Sequence, residues 1–198
     1  MEQVVLLDEQ GRGIGVADKA TVHHRETPLH LAFSCYVFTS RGELLVTRRA
    51  RAKKTWPGVV TNSCCGHPAP DEPFVDAVAR RLADELGMPA PRVDLLLPAF
   101  RYRAEMANGV VENEMCPVFR AVTDDTPVLS PQEVDEHGWV SWPLFVSLVT
   151  GGELMVSPWC REQVDQLVAL GPDPLAWPIA DESGLPPAAL SAVASSDR

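Results

Sequence analysis

Residues 30–38 alternate between the two faces of an extended strand. Leu31, Phe33, Cys35 and Val37 share one face, and His30, Ala32 and Ser34 lie on the other. The turn Ser40-Arg41-Gly42 leads into Leu44-Leu45-Val46, which reads as its hairpin partner. Upstream, the apolar run 4–7 and the polar, glycine-containing stretch 8–13 predict a hairpin over residues 1–16. After residue 70 the period changes from two to about four. Phe74, Val78, Leu82 and Leu86 form the buried stripe of a helix ending at Gly87, while Arg81 and Glu85 share a different face. Residues 94–100 feed a strand that runs through Arg103, and Asn108-Gly109 is a strong hairpin turn. The return strand spans 110–122, with Glu112, Glu114 and Cys116 pointing one way. A polar connection over 130–137 and a short strand over 139–142 follow. Helices are predicted over 143–149 and 158–170, the second with Ser157 as N-cap and Pro158 in its first position. From Gly171 onward Pro, Ala and Ser dominate and periodicity ends, so one domain over 1–170 and a loosely attached tail over 171–198 are expected. Short strands mixed with helices predict an α+β chain, layered α/β/α, with helices covering a mixed sheet.

Composition narrows the function classes. The 198 residues are 45% apolar, enough for one core, and no run of eighteen apolar residues offers a membrane span. Met1-Glu2-Gln3 lacks the basic start of a signal peptide, and five cysteines, two of them adjacent, read as reduced thiols of a cytoplasmic protein. The formal charge of -10 argues against general binding of nucleic acid or anionic membrane. Against that background, Arg48, Arg49, Arg51, Lys53 and Lys54 are five cations within residues 48–54, a cradle for phosphate oxygens or a solvated basic turn.

The chemistry concentrates in the loop that follows, Thr61-Asn62-Ser63-Cys64-Cys65-Gly66-His67-Pro68. With His23, His30, Glu112 and Glu114, His67 supplies nitrogen and oxygen ligands that suit a six-coordinate site for Mg, Mn or Fe. Spacing alone favours an ordinary surface or hydrogen-bonded role for each histidine. A zinc site on Cys64, Cys65 and His67 is the weaker alternative, because adjacent cysteines do not easily reach one ion. Cys65 and Glu114 are the candidate thiol and carboxyl for moving a proton across a substrate, and a Cys/His nucleophile for acyl transfer is the competing reading.

Gly66, Glu72 and the run Arg80-Arg81-Leu82-Ala83-Asp84-Glu85-Leu86-Gly87-Met88 follow the outline of a Nudix box, with Arg81 and Asp84 at positions where Nudix hydrolases carry glutamate. Further ordered runs, among them His30-Leu31-Ala32-Phe33, Trp56-Pro57-Gly58, Cys65-Gly66-His67-Pro68, Glu112-Asn113-Glu114 and Ser157-Pro158-Trp159, resemble type I isopentenyl-diphosphate delta-isomerase, over residues 3–170. The resemblance implies a Nudix-type fold that isomerises a diphosphate ester without hydrolysing it. It implies Cys65 and Glu114 as catalytic residues, with Tyr102 and Trp159 flanking the hydrocarbon. It places one divalent ion, Mn2+ or Mg2+ with zinc or iron as alternatives, on His23, His30, His67, Glu112 and Glu114. A substrate-associated Mg2+ falls on Glu85 and the Cys65 carbonyl, and the diphosphate falls on Lys19, Arg49, Lys53 and Arg81. Cys64 departs from the family, which carries an apolar residue there. The expected partner is a small diphosphate, with no nucleic acid and no membrane, and the expected assembly a monomer or weak homodimer. The rivals are a Nudix hydrolase and a non-catalytic metal or nucleic-acid module.

Overall fold

A computed structural model describes residues 2–89 and 92–190. Two mixed sheets carry the fold. The first joins β1 (Gln3–Leu7), β2 (Gly13–Asp18), β3 (His30–Leu31), β9 (Arg101–Glu105) and β10 (Val111–Met115) in the order β2-β1-β3-β10-β9. The second is built on β4 (Phe33–Phe38), β5 (Glu43–Arg49), β8 (Val93–Leu97), β11 (Val118–Val122) and β12 (Val134–Ser141), ordered β12-β5-β4-β11-β8. Two short strands extend it, β6 (Val60–Thr61) on β5 and β7 (Cys64–Gly66) on β4. In each sheet one pair is parallel, β3 with β10 and β4 with β11, and the helices α1 (Phe74–Leu86), α2 (Trp142–Thr150) and α3 (Pro158–Val168) cover the strands.

The alternation over 30–38 is a strand interrupted at Ala32, where the chain passes from one sheet to the other. Both of its faces are buried. Leu31, Phe33, Cys35 and Val37 meet α1, whereas Ala32, Tyr36 and Phe38 meet α2 and α3. The return strand expected over 110–122 is likewise two strands, because Cys116-Pro117 carries the chain from β10 in the first sheet to β11 in the second. Strand β12 begins at Val134, earlier than its polar sequence suggests, because it is an edge strand whose outer face meets solvent. Ser157 precedes α3 as expected, but its hydroxyl does not cap the helix. It lies 2.8 Å from the Thr61 hydroxyl and ties α3 to β6.

The tail departs most from expectation. Residues 171–190 pack onto the domain instead of hanging loosely from it, and residues 191–198 lie outside the described part. Trp177 is buried edge-to-face against Phe38 and Trp142, with ring centroids at 5.7 and 5.1 Å. The Ala180 amide donates to the Leu95 carbonyl, and Leu185 and Ala189 complete the core on the other side.

Candidate active site

The site is a cavity of about 670 Å³ walled by both sheets. One wall comes from β7, which pairs with β4 so that Cys65 stands opposite Ser34. The facing wall is β10, whose period of two turns Glu112, Glu114 and, just beyond it, Cys116 inward. At position 66 only glycine fits, because a Cβ there would stand 2.8 Å from Arg81 Cγ and 2.9 Å from Phe33 Cζ. The loop and α1 therefore close tightly, and Arg80 fastens them by donating twice to Glu72 at 2.7 Å.

His23, His30, His67 and Glu114 offer ligand atoms that all lie within 4.8 Å of one another. Glu114 Oε1 is 3.1 Å from His67 Nε2, 3.3 Å from His30 Nε2 and 3.7 Å from His23 Nε2. His30 Nδ1–H donates to the Pro28 carbonyl at 2.9 Å, which leaves its Nε2 lone pair facing the cluster. That Nε2 lies 3.2 Å from His67 Nε2, and burial pushes His67 down to about 3, so a neutral imidazole stands beside it with both Nε2 atoms facing Glu114. The buried Nε2 of His23 has no hydrogen-bond partner. Three imidazole nitrogens that converge on an ionised carboxylate, one of them buried without a partner, fit one divalent cation. Glu112 stands outside this group and reaches it through Tyr102, whose hydroxyl is 2.9 Å from Oε2 of both Glu112 and Glu114. One hydroxyl proton serves one carboxylate, so the other contact calls for a protonated carboxyl. Burial and the charge of Glu114 push Glu112 up to fill that role, whereas at Glu114 burial is outweighed by the three histidines.

Around the thiol, Asn62 is the organising residue. Its amide nitrogen donates to the Cys35 and Cys64 carbonyls at 3.0 and 2.9 Å, which aims Oδ1 at Cys65 Sγ (3.3 Å), Thr61 Oγ1 (2.9 Å) and Trp159 Nε1 (3.1 Å). Ser34 Oγ lies 3.4 Å from Cys65 Sγ and accepts from Gln163 at 2.9 Å. Burial pushes the Cys65 thiol up to about 11. Cys65 is half-buried and lines the cavity, whereas Cys64 sits in the core directly opposite Cys35 and belongs to no metal-binding group among the described residues. The zinc alternative on Cys64, Cys65 and His67 has no support in this arrangement.

At the other end stand the cations. Lys19, Arg49, Lys53, Lys54 and Arg81 line the cavity, while Arg48 and Arg51 turn away to Glu136 and Asp135. Arg49 donates to the Thr55 carbonyl and lies 5.6 Å from the centroid of the Trp159 ring, which in turn packs 5.6 Å from that of Tyr102. Glu85 is buried behind Arg81, paired with it and absent from the cavity wall. Sequence reasoning missed Glu133, which pairs with both Lys53 and Arg81, and Glu2, which pairs with Lys19 at 2.6 Å.

The NUDIX domain profile matches residues 28–152. An isopentenyl-diphosphate Delta-isomerase from Saccharopolyspora erythraea is 59% identical over 97% of this chain and 99% of its own. The chain belongs to the isopentenyl-diphosphate Delta-isomerase family. Isomerases of the same name from Rhizobium rhizogenes (50% identical over 97% of this chain and 92% of theirs) and Clavibacter sepedonicus (55% over 84% and 87%) agree. Its fold is that of solved Nudix proteins. The crystal structure of DR0079 from Deinococcus radiodurans superposes with a TM-score of 0.64 at 17% identity, covering 83% of this chain and 98% of that one. A MutT protein from Methanosarcina mazei gives 0.58 at 22% identity, covering 71% and 94%. Among the described residues no helix is long and apolar enough to cross a membrane.

Proposed function

We infer that this protein interconverts isopentenyl and dimethylallyl diphosphate by adding a proton at one carbon and removing one two carbons away. The observation that carries this is the pairing of Cys65 and Glu114 across one cavity, each fixed on a different sheet, with cations at one end. The thiol holds its proton at neutral pH and Glu114 is ionised, so the resting pair is one acid and one base. Their roles exchange between the two directions of a reversible reaction.

His23, His30, His67 and Glu114 would hold a divalent ion, with Glu112 joined through Tyr102. Such an ion supplies fixed positive charge that keeps Glu114 ionised and rigid. Glu85 and the Cys65 carbonyl would hold a second ion, Mg2+, brought by the substrate. Lys19, Arg49, Lys53 and Arg81 would anchor the diphosphate and so place the hydrocarbon between thiol and carboxylate. Trp159 and Tyr102 would flank it. The tertiary cation formed on protonation needs a water-poor surface, and a desolvated indole face stabilises it by about 2 kcal/mol. Arg81, at a position where hydrolases carry a glutamate, binds diphosphate without activating water against it, and Asp84 of the same run points to solvent at 55% exposure.

Isopentenyl diphosphate incubated in heavy water with Mg2+ or Mn2+ should yield deuterated dimethylallyl diphosphate, read by NMR. Release of inorganic phosphate from isoprenoid or nucleoside diphosphates at a comparable rate would make the protein a hydrolase instead.

A further inference from the structure

We infer that Glu133 is a specificity-determining residue. It occupies two of the diphosphate-binding cations, Lys53 and Arg81, while substrate is absent, and yields them only to a polyanion that brings its own divalent cation. This rests on the reading of the cavity as a diphosphate site.

Glu133 Oε2 pairs with Lys53 Nζ, and Oε1 lies 3.2 Å from Arg81 Nη2, the same nitrogen that pairs with Glu85. Burial works against the ionised form, but Lys53 and Arg81 outweigh it and hold the carboxyl below its ordinary range. Nor is this a surface acid that happens to meet two cations. The Ala50 amide donates to the Glu133 carbonyl at 2.9 Å, the Glu133 amide donates to the Ser130 carbonyl at 3.0 Å, and the Ser130 amide donates to the Glu85 carbonyl at 2.9 Å. The turn that presents Glu133 is thus fastened to both segments that carry its cations, the loop after β5 and the helix α1. Its side chain is 25% exposed and lines the cavity.

Charge shows what the pairing does. Five cations line the cavity against Glu2, Asp18, Glu114 and Glu133, with Glu112 held protonated, so the wall carries a formal excess of only one positive charge. An anion arriving alone must break existing ion pairs and leave Glu133 and Glu85 unpartnered and partly buried, which cancels much of what it gains. A diphosphate that arrives with a divalent ion exchanges partners: its oxygens take Lys53 and Arg81, and the ion meets the freed carboxylates. Anions that arrive without a divalent cation are thereby disfavoured without any steric block.

The test is calorimetric titration of inorganic pyrophosphate into the protein as purified, in magnesium-free buffer without chelator, and again with excess Mg2+. Glu133→Gln keeps the side-chain shape and removes the charge. Without Mg2+ it should bind pyrophosphate at least about fivefold more tightly than wild type, and with Mg2+ the advantage should vanish or reverse. Glu2→Gln, which releases Lys19 from a partner 59% exposed, should shift binding by less than about twofold in either condition. Wild-type binding that Glu133→Gln leaves unchanged or weakens without Mg2+ overturns the inference and leaves the diphosphate site standing. Failure of both proteins to bind pyrophosphate in either buffer overturns the diphosphate reading along with it.

Discussion

Two adjacent thiols make the sharpest comparison at the scale of single residues. Cys65 faces the cavity and Cys64 faces the core, 2% exposed. Cys65→Ala should cost about 10²–10⁴-fold in kcat with KM nearly unchanged, because the cations at the far end remain. Cys64→Val should keep turnover within about threefold, because it exchanges one small apolar side chain for another in the core, away from the cavity, although the slightly larger valine costs some packing. Both effects are read by steady-state kinetics, and loss of turnover on Cys64→Val with Cys65→Ala active would reverse the assignment. The histidines and glutamates of the cluster were legible as residue types, since few side chains hold divalent ions. Asn62, Ser34 and Glu133 were not, because their roles come from neighbours brought together only by the fold: Asn62 sits beneath Trp159 of α3, and Ser34 beneath Gln163. Nothing in the local sequence marks Ser34 or Glu133, and Asn62 stands out only as a member of the loop 61–68, with no sign of its role.

The helix α1 was readable because one stripe of apolar residues faces the core and one glycine ends it. Gly87 adopts φ +61° and donates to the Ala83 carbonyl, and a Cβ there would meet Val128 Cβ at 2.9 Å. Gly87→Ala should therefore lower stability by about 1–2 kcal/mol, measured by urea denaturation, with kcat retained. The break at Cys116-Pro117 was not readable, since alternation runs through it and only the partner strands differ. The tail hides for another reason. It is held by isolated anchors, Trp177, Leu185 and Ala189, with no period to join them. Trp177→Ala should cost about 3–5 kcal/mol, because a buried indole is removed from between two aromatic rings, and a stability within about 0.5 kcal/mol of wild type would contradict the packing described.

For the molecule as a whole, the buried ion pair between Asp94 of β8 and Arg120 of β11 links the second sheet to the tail, as Arg120 also donates to the Pro174 carbonyl. Burial works against the Asp94 carboxylate, but Arg120 and Arg92 overcome it and hold it below its ordinary range. A lowered folded value means that this stability is complete above pH ~4 and is lost as pH falls through the folded value. Asp94→Asn should thus melt well below wild type at pH 7, and the gap should narrow on acidification below pH ~4. A gap independent of pH would remove the charge from the explanation. A metal ion on the four candidate ligands would tie the first sheet, through His30 and Glu114, to the loop before β3, through His23, and to the segment just beyond β7, through His67. Exhaustive chelation should lower Tm and abolish turnover, and Mn2+ or Mg2+ should restore both. An unchanged melting curve in protein shown metal-free by elemental analysis would contradict a structural ion.

The parallel pairing of β3 with β10, in which His30 and Glu114 are direct partners, has a kinetic consequence. These strands lie far apart along the chain, and closing so long a loop is entropically costly until the intervening hairpins and α1 are formed. The proposed proton-transfer pair and the histidine cluster should therefore assemble late, in a non-local step of refolding. Interrupted refolding assays should find catalytic activity returning with the slowest phase of tryptophan fluorescence and never ahead of it, so a nascent or partly unfolded chain of this protein is inert.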